Sequence, residues 1–163
     1  MERHLYVLRH AKSSWKNPAL SDYDRPLKKR GKNDAPLIGK KLNKMELKIQ
    51  LIVSSPAKRT KDTISIIAKE LKFIEHIRYD ESIYESSVYN LLSLINSFDD
   101  DFQNILIVGH NPSLTDLVNY LSNKKIENIP TCGVVGLKYN GSWKNIRTGS
   151  SNLIFFEYPK KYY

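Results

Sequence analysis

The sequence holds a single cysteine, Cys132, so it can close no internal disulfide and build no thiolate metal site. A nucleophilic role for Cys132 would need a positively charged setting. The stretch Pro130-Thr131-Cys132-Gly133 before an apolar segment offers none, so a buried structural role is expected. No apolar run approaches the roughly 20 residues that span a bilayer. Glu2 and Arg3 precede only the short Leu5–Leu8 run, which does not make a signal peptide. These gaps lead us to expect a cytoplasmic protein with no membrane partner. Internal repeats, low-complexity linkers and domain boundaries are also missing, and 163 residues fit one domain, 1–163, around one core.

What is plentiful is positive charge, with a formal net charge of +9. Charge of this size invites a nucleic-acid partner. The basic residues are scattered, however, over Lys28-Lys29-Arg30, Lys40-Lys41, Lys58, Lys124-Lys125 and Lys160-Lys161. The aromatic residues show no spacing of the kind that stacks RNA bases, so no nucleic-acid partner is expected. A basic surface equally suits a phosphate-bearing partner.

Four segments read as buried strands: His4–Leu8, Gln50–Val53, Asn104–Val108 and Val134–Tyr139. The first three end in polar residues and lead into helix-like segments. That alternation predicts an α/β fold, a three-layer sandwich with a mostly parallel central sheet. Ile64, Ile67, Ala68 and Leu71 form one apolar stripe on a helix over Pro56–Leu71, with Ser55 as cap and Pro56 in the first turn. Asn111 and Pro112 open a similar helix to Leu121. Further helices are predicted over Ser87–Phe98 and over Asp34–Met45, the latter packing Ile38, Leu42 and Met45. Asn140-Gly141 signals a tight hairpin joining a closing antiparallel pair.

The polar strand ends carry the chemistry. They are Leu8-Arg9-His10-Ala11-Lys12-Ser13, Val53-Ser54-Ser55-Pro56-Ala57-Lys58-Arg59-Thr60 and Val108-Gly109-His110-Asn111-Pro112. In a parallel sheet the carboxyl ends of strands share one edge, and ligands bind in the crevice there. Arg9, His10, Arg59 and His110 can therefore converge. Two guanidinium groups and two imidazoles near helix N-termini make a site for a dianion such as phosphate. His4 and His76 lack this context and are expected at the surface. Asp24 and Arg25 are expected to pair and pin the Ser21–Arg30 loop, with Trp15 and Tyr23 at the entrance or packed on that loop.

An Arg-His pair after the first strand, a Ser-Ser-Pro-x-x-Arg-x-x-x-Thr segment and a late Gly-His-Asn-Pro resemble the histidine phosphatase superfamily. The segments Arg9-His10-Ala11-Lys12-Ser13-Ser14-Trp15, Asp24-Arg25-Pro26-Leu27 and Arg30-Gly31, the Pro130–Gly133 turn and Trp143 are similar to its SixA-type phosphohistidine phosphatase branch. The resemblance implies a phosphoglycerate mutase-like fold and a phosphatase that needs no cofactor and no metal. It makes His10 the nucleophile, Arg9 and Arg59 the grip on the non-bridging oxygens, and His110 a donor to the same oxygens. Lys12 and Ser13 would line the phosphate loop. Many members also use a carboxylic acid to protonate the leaving group, and Glu85 is the candidate here. The expected substrate is phosphohistidine on a partner protein, such as a phosphotransfer domain or phosphocarrier. The alternative is a small phosphate ester with Glu85 as general acid.

Overall fold

The computed structural model describes all 163 residues. Six strands form one sheet: β1 (Glu2–Arg9), β2 (Leu51–Ser54), β3 (Arg78–Tyr79), β4 (Asn104–Gly109), β5 (Val134–Asn140) and β6 (Ser151–Glu157). Their order is β3-β2-β4-β1-β5-β6. The first four are mutually parallel, while β5 runs antiparallel to β1 and β6 antiparallel to β5. The helices are α1 (Lys29–Lys44), α2 (Lys58–Glu70), α3 (Val88–Asn96) and α4 (Ser113–Leu121). No helix is long and apolar enough to cross a membrane.

The strand residues alternate between two cores, as the pleat dictates. Leu5, Val7, Ile105 and Ile107 face α3 and α4, where they meet Leu91, Ile95, Leu114, Leu117, Val118 and Leu121. Tyr6, Leu8, Leu106 and Val108 point the other way, to Ala35, Ile38 and Leu42 of α1 and Ile64, Ile67 and Ala68 of α2. The result is the expected three-layer sandwich, with both faces of the sheet covered. Each fully buried aliphatic side chain contributes about 1.5–3 kcal/mol to holding the layers together.

Three local expectations are corrected. α1 begins at Lys29, more than a turn before Asp34, and carries Pro36 inside it. A tertiary contact sets that start: the Lys28 N–H donates to the Lys12 carbonyl at 3.0 Å. Gly31 then runs so close that a Cβ there would lie 2.2 Å from the same oxygen. Met45 falls at the end of this helix and is exposed. α2 begins at Lys58, because the Ser55 hydroxyl accepts from the Ala57 N–H at 3.2 Å and closes a turn ahead of the helix. Finally, Asn140-Gly141 is no two-residue hairpin, since residues 141–150 separate β5 from β6. Trp143 draws this loop inward: its ring is fully buried and its Nε1 donates to the Phe102 carbonyl at 2.7 Å.

α4 starts at Ser113 with Pro112 in the cap position, one residue later than expected, and Asn111 stands just outside it with its Oδ1 accepting from the Thr115 N–H at 3.1 Å. Ser87 caps α3 through the Asn90 N–H.

Candidate active site

β4 lies between β1 and β2, so the residues that follow all three strands meet. Arg9 pairs with Gly109 and Ser54 with Val108 in register. The next residues, His10, His110 and Ser55, therefore stand side by side at the carboxyl edge of the sheet. The His10 and His110 ring centroids are 5.3 Å apart, and Arg59, from the first turn of α2, places its Nε 3.4 Å from His10 Nε2. A cavity of about 240 Å³ opens here, lined by Arg9, His10, Lys12, Ser13, Trp15, Arg25, Arg59, His110, Asn111 and Thr131. A larger groove of about 830 Å³ lies at the other edge, where β2 begins. Its walls, including Leu47, Phe73 and the exposed His76, bring no reactive groups together. His4 is equally remote, bonded at 2.9 Å to Asn104 where β4 begins.

His10 is held in one tautomer. Its Nδ1 lies 2.7 Å from the Ala11 carbonyl, which can only accept, so Nδ1 carries the proton and Nε2 keeps its lone pair. Thr63 stabilises this arrangement, because its Oγ1 accepts from the Ala11 N–H at 2.9 Å and donates to the Arg59 carbonyl at 2.7 Å. Burial, with the positive fields of His110, Arg59 and Arg9, pushes the His10 pKa down to about 3 against the opposing bond to Ala11. His110 is held at about 4, by burial first and then by Arg59 and Arg9. Both imidazoles are thus neutral at physiological pH. His110 Nε2 lies 2.7 Å from Ser55 Oγ. Two polar atoms of the cluster, His110 Nδ1 and Arg9 Nε, are buried without a hydrogen-bond partner, and each is a group that an oxyanion can satisfy.

Arg9 donates through Nη1 to the Ile129 carbonyl at 3.0 Å. Burial, reinforced by Arg59, lowers its pKa from the usual guanidinium value. Arg59 rests its terminal nitrogens on Asp22, at 2.7 Å from the carbonyl and 3.0 Å from the carboxylate. Asp22 also accepts from Arg25 Nη1 at 2.8 Å and from the Tyr84 hydroxyl at 2.6 Å. Partial burial opposes its ionisation, but the bonds from Tyr84, Arg25 and Arg59 outweigh that and hold it at about 2. Arg25 therefore pairs with Asp22 and not with Asp24, whose carboxylate instead accepts from Ser21. The short 3-10 turn at Asp22–Asp24 accounts for this, since it sets Asp22 and Arg25 three residues apart on one side.

Ser13 and Lys12 reach the cavity wall, and Ser13 Oγ accepts from Arg25. Trp15 stacks on the Arg25 guanidinium, 3.3 Å from ring centroid to Cζ, and stays 74% exposed at the mouth. Tyr23 packs edge-on against Tyr84, whose ring meets His110 at 5.4 Å. Glu85 does not join the cluster. It has a φ of +49°, its side chain is exposed, and it makes no hydrogen bond. The turn at this residue presents Tyr84, not Glu85, to the site. Cys132 is buried, with its thiol pKa pushed up by burial and then by Asp34, as suits a structural residue.

Four participants escaped the sequence reading. Ser55 reads in the sequence as a helix cap, and Thr63 has only a place in a motif. For Asp22 the three-residue spacing to Arg25 was a usable signal; for Tyr84 there was none.

Against this geometry the comparisons with known proteins are consistent. The profile of the histidine phosphatase superfamily (branch 1) matches residues 5–92. An uncharacterized chloroplastic protein of Arabidopsis thaliana is 31% identical over 88% of this chain and 70% of its own length. A crystal structure from Agrobacterium tumefaciens, assigned as the phosphohistidine phosphatase SixA, is 27% identical, with a TM-score of 0.82 over 96% of this chain and 98% of that one. A protein histidine phosphatase SixA complexed with tungstate shares the fold at a TM-score of 0.84 and 17% identity, over 97% and 98% of the two chains. The chain belongs to the histidine phosphatase superfamily, and its solved relatives set it with the SixA-type branch.

Proposed function

We propose that this protein is a metal-independent phosphatase that forms a phosphohistidine on His10 and takes its phosphoryl group from phosphohistidine on a partner protein. One observation carries the reading. The His10 imidazole is neutral, tied through Nδ1 to Ala11, and its Nε2 accepts only the long 3.4 Å bond from Arg59 Nε at a cavity lined by Arg9, Arg59 and His110. In the first step Nε2 attacks phosphorus and the bond to the leaving group breaks. Splitting one displacement into two lowers each barrier. The guanidinium groups meet charge on the non-bridging oxygens, and His110 donates to the same oxygens. Water then attacks the phosphoryl group on His10, and inorganic phosphate leaves.

The choice of phosphohistidine over an ester rests on the proton supply. An alkoxide leaves poorly without a general acid, which is worth about 10²–10⁴-fold. Asp22 is ionised and Glu85 stands outside the cavity. A phosphorylated imidazole carries its own proton on the ring and needs no such donor. The exposed Trp15 at an open mouth suits a histidine presented on a protein surface, as on a phosphotransfer domain or phosphocarrier.

The test is phosphate release from a phosphohistidine-bearing protein compared with small phosphate esters, together with mass spectrometry that avoids acid. Phosphohistidine should be cleaved, and the adduct should map to His10. It should vanish in His10→Ala and persist in His4→Ala and His76→Ala. Ready release from small esters with phosphohistidine left intact would overturn the proposal.

A further inference from the structure

Asp22 is an ionised carboxylate at the outer end of the site, and nothing in the proposed phosphoryl transfer uses it. Its location follows from Arg59, which runs outward from the nucleophile. The Arg59 Nε faces His10 Nε2 at 3.4 Å, while the far side of the guanidinium touches Asp22 at 2.7 and 3.0 Å. Exposure rises along the same line, from 8% at His10 to 44% at the Asp22 side chain. In-line displacement puts the leaving group opposite the attacking atom. With His10 at the floor, the group departs toward the mouth, past Arg59 and Arg25, and Asp22 stands directly behind those two lining guanidinium groups.

We propose that the Asp22 carboxylate selects substrates by the charge of the leaving group, favouring a protonated imidazole over an anionic alkoxide or phenolate. The inference rests on the phosphohistidine reading and adds the residue that enforces it. In the favoured reaction the substrate ring is phosphorylated on one nitrogen and protonated on the other. His10 Nε2 forms a bond to phosphorus, and the bond from phosphorus to the substrate nitrogen breaks. The electron pair of that bond stays with the substrate nitrogen, so a neutral imidazole departs and His10 becomes the phosphorylated, Nδ1-protonated ring. The positive ring that must be present at the start is stabilised by a nearby carboxylate. A phenolate or alkoxide gains negative charge as it leaves, and the same carboxylate repels it.

Tyr84 and Arg25 make Asp22 a fixed charge. The Tyr84 hydroxyl donates to it at 2.6 Å and Arg25 pairs with it at 2.8 Å. Tyr84 keeps its proton, because burial and then the bond to Asp22 push its pKa up to about 12. Trp15, stacked on Arg25, and Tyr23, bonded to Glu81 and packed on Tyr84, brace this arrangement from either side.

The experiment compares phosphoimidazole with 4-nitrophenyl phosphate, whose leaving group is an anion that needs no acid. In Asp22→Asn, kcat/KM for phosphoimidazole should fall about tenfold and that for 4-nitrophenyl phosphate should rise, a size between those of a unit charge in water and at close range on a protein surface. Asp22→Glu should preserve the wild-type preference, and Asp24→Asn, which alters only the neighbouring bond to Ser21, should leave it unchanged. If both activities of Asp22→Asn fall in step, Asp22 merely holds Arg59 and the proposal is overturned. An unchanged ratio overturns it too, while leaving the phosphohistidine reading in place. A wild-type protein that cleaves the ester but not phosphoimidazole overturns both.

Discussion

His10 and His110, far apart in the chain, hold their ring centroids 5.3 Å apart with planes inclined by 52°. Their proximity is a consequence of β1 and β4 being parallel neighbours in register from His4↔Asn104 to Arg9↔Gly109. Two buried imidazoles this close, with Arg9 and Arg59 beside them, cannot readily take up protons. That restriction keeps the His10 Nε2 free of a proton, as the proposed nucleophilic role requires.

It also makes stability depend on pH in a definite direction. Both rings have folded pKa values, about 3 and about 4, below the unfolded value of 6.5. Between those limits the unfolded chain binds the extra protons, so stability is complete above pH 6.5 and is lost as pH falls toward 4. Each imidazole contributes a slope of up to ~1.4 kcal/mol per pH unit in that window. Denaturant unfolding at pH 7.5 and pH 5 should show the loss, and His10→Gln should remove a substantial part of it. An equal pH slope in wild type and His10→Gln would contradict the buried, neutral assignment.

The fold was legible because its signals are periodic. Unbroken apolar runs in β1 and β4 and the stripes on α2 and α4 specify two covered faces, which leaves little choice of architecture. Arg9, His10, Arg59 and His110 were legible because each follows directly on a strand or opens a helix. The residues around them were not, since their positions depend on contacts that span the chain. Asp22 reaches Arg59 only after the loop before α1 folds back over α2, and Tyr84 displaces Glu85 through a backbone turn that no sequence pattern announced. Ser55 misled for a different reason. A serine before a proline is a good helix cap, and here the same hydroxyl closes the turn ahead of α2 through the Ala57 N–H and also meets His110.

Ser55 therefore gives a direct test of how His110 is oriented. Its hydroxyl is the partner the structure provides for the His110 ring, at 2.7 Å from Nε2. Ser55→Ala removes that bond and leaves a buried ring nitrogen without a partner, at a cost of about 1–3 kcal/mol. Part of that cost should appear as turnover, about tenfold in kcat, with the KM for substrate changed less. Steady-state kinetics on phosphohistidine decides the matter, and an unaltered kcat would show that the ring is fixed by packing alone.

Gly31 couples α1 to the loop after His10. A Cβ there would meet the Lys12 carbonyl oxygen at 2.2 Å and the Lys12 nitrogen at 3.0 Å, and neither is a flexible side-chain end that can swing away. Gly31→Ala must push α1 or the Lys12–Ser13 loop aside, and overpacking of this kind costs about 1–3 kcal/mol. Because that loop forms one wall of the cavity, activity should drop by more than the stability loss accounts for at temperatures where the variant is fully folded. Thermal unfolding and kinetics on the same preparation separate the two effects. Wild-type kinetics in the variant would mean that the whole displacement is absorbed by α1.

Thr63 links the two residues on which the chemistry is proposed to depend. Its Oγ1 accepts from the Ala11 N–H and donates to the Arg59 carbonyl, while the Ala11 carbonyl takes the proton-bearing nitrogen of His10. Thr63→Val keeps the shape but orphans the Ala11 N–H in a buried position, so about 1–3 kcal/mol of stability should be lost. The sharper readout is the fate of the phosphoryl group. With the Ala11 peptide free to turn, the Nδ1 bond weakens and Nε2 no longer holds its lone pair in a fixed direction, so formation of the His10 adduct should slow about tenfold or more. Thr63→Ser restores the hydroxyl and should restore the rate. Rapid-quench measurement of adduct formation tests this, and equal rates in Thr63→Val and wild type would show that the Ala11 carbonyl is held in place without it.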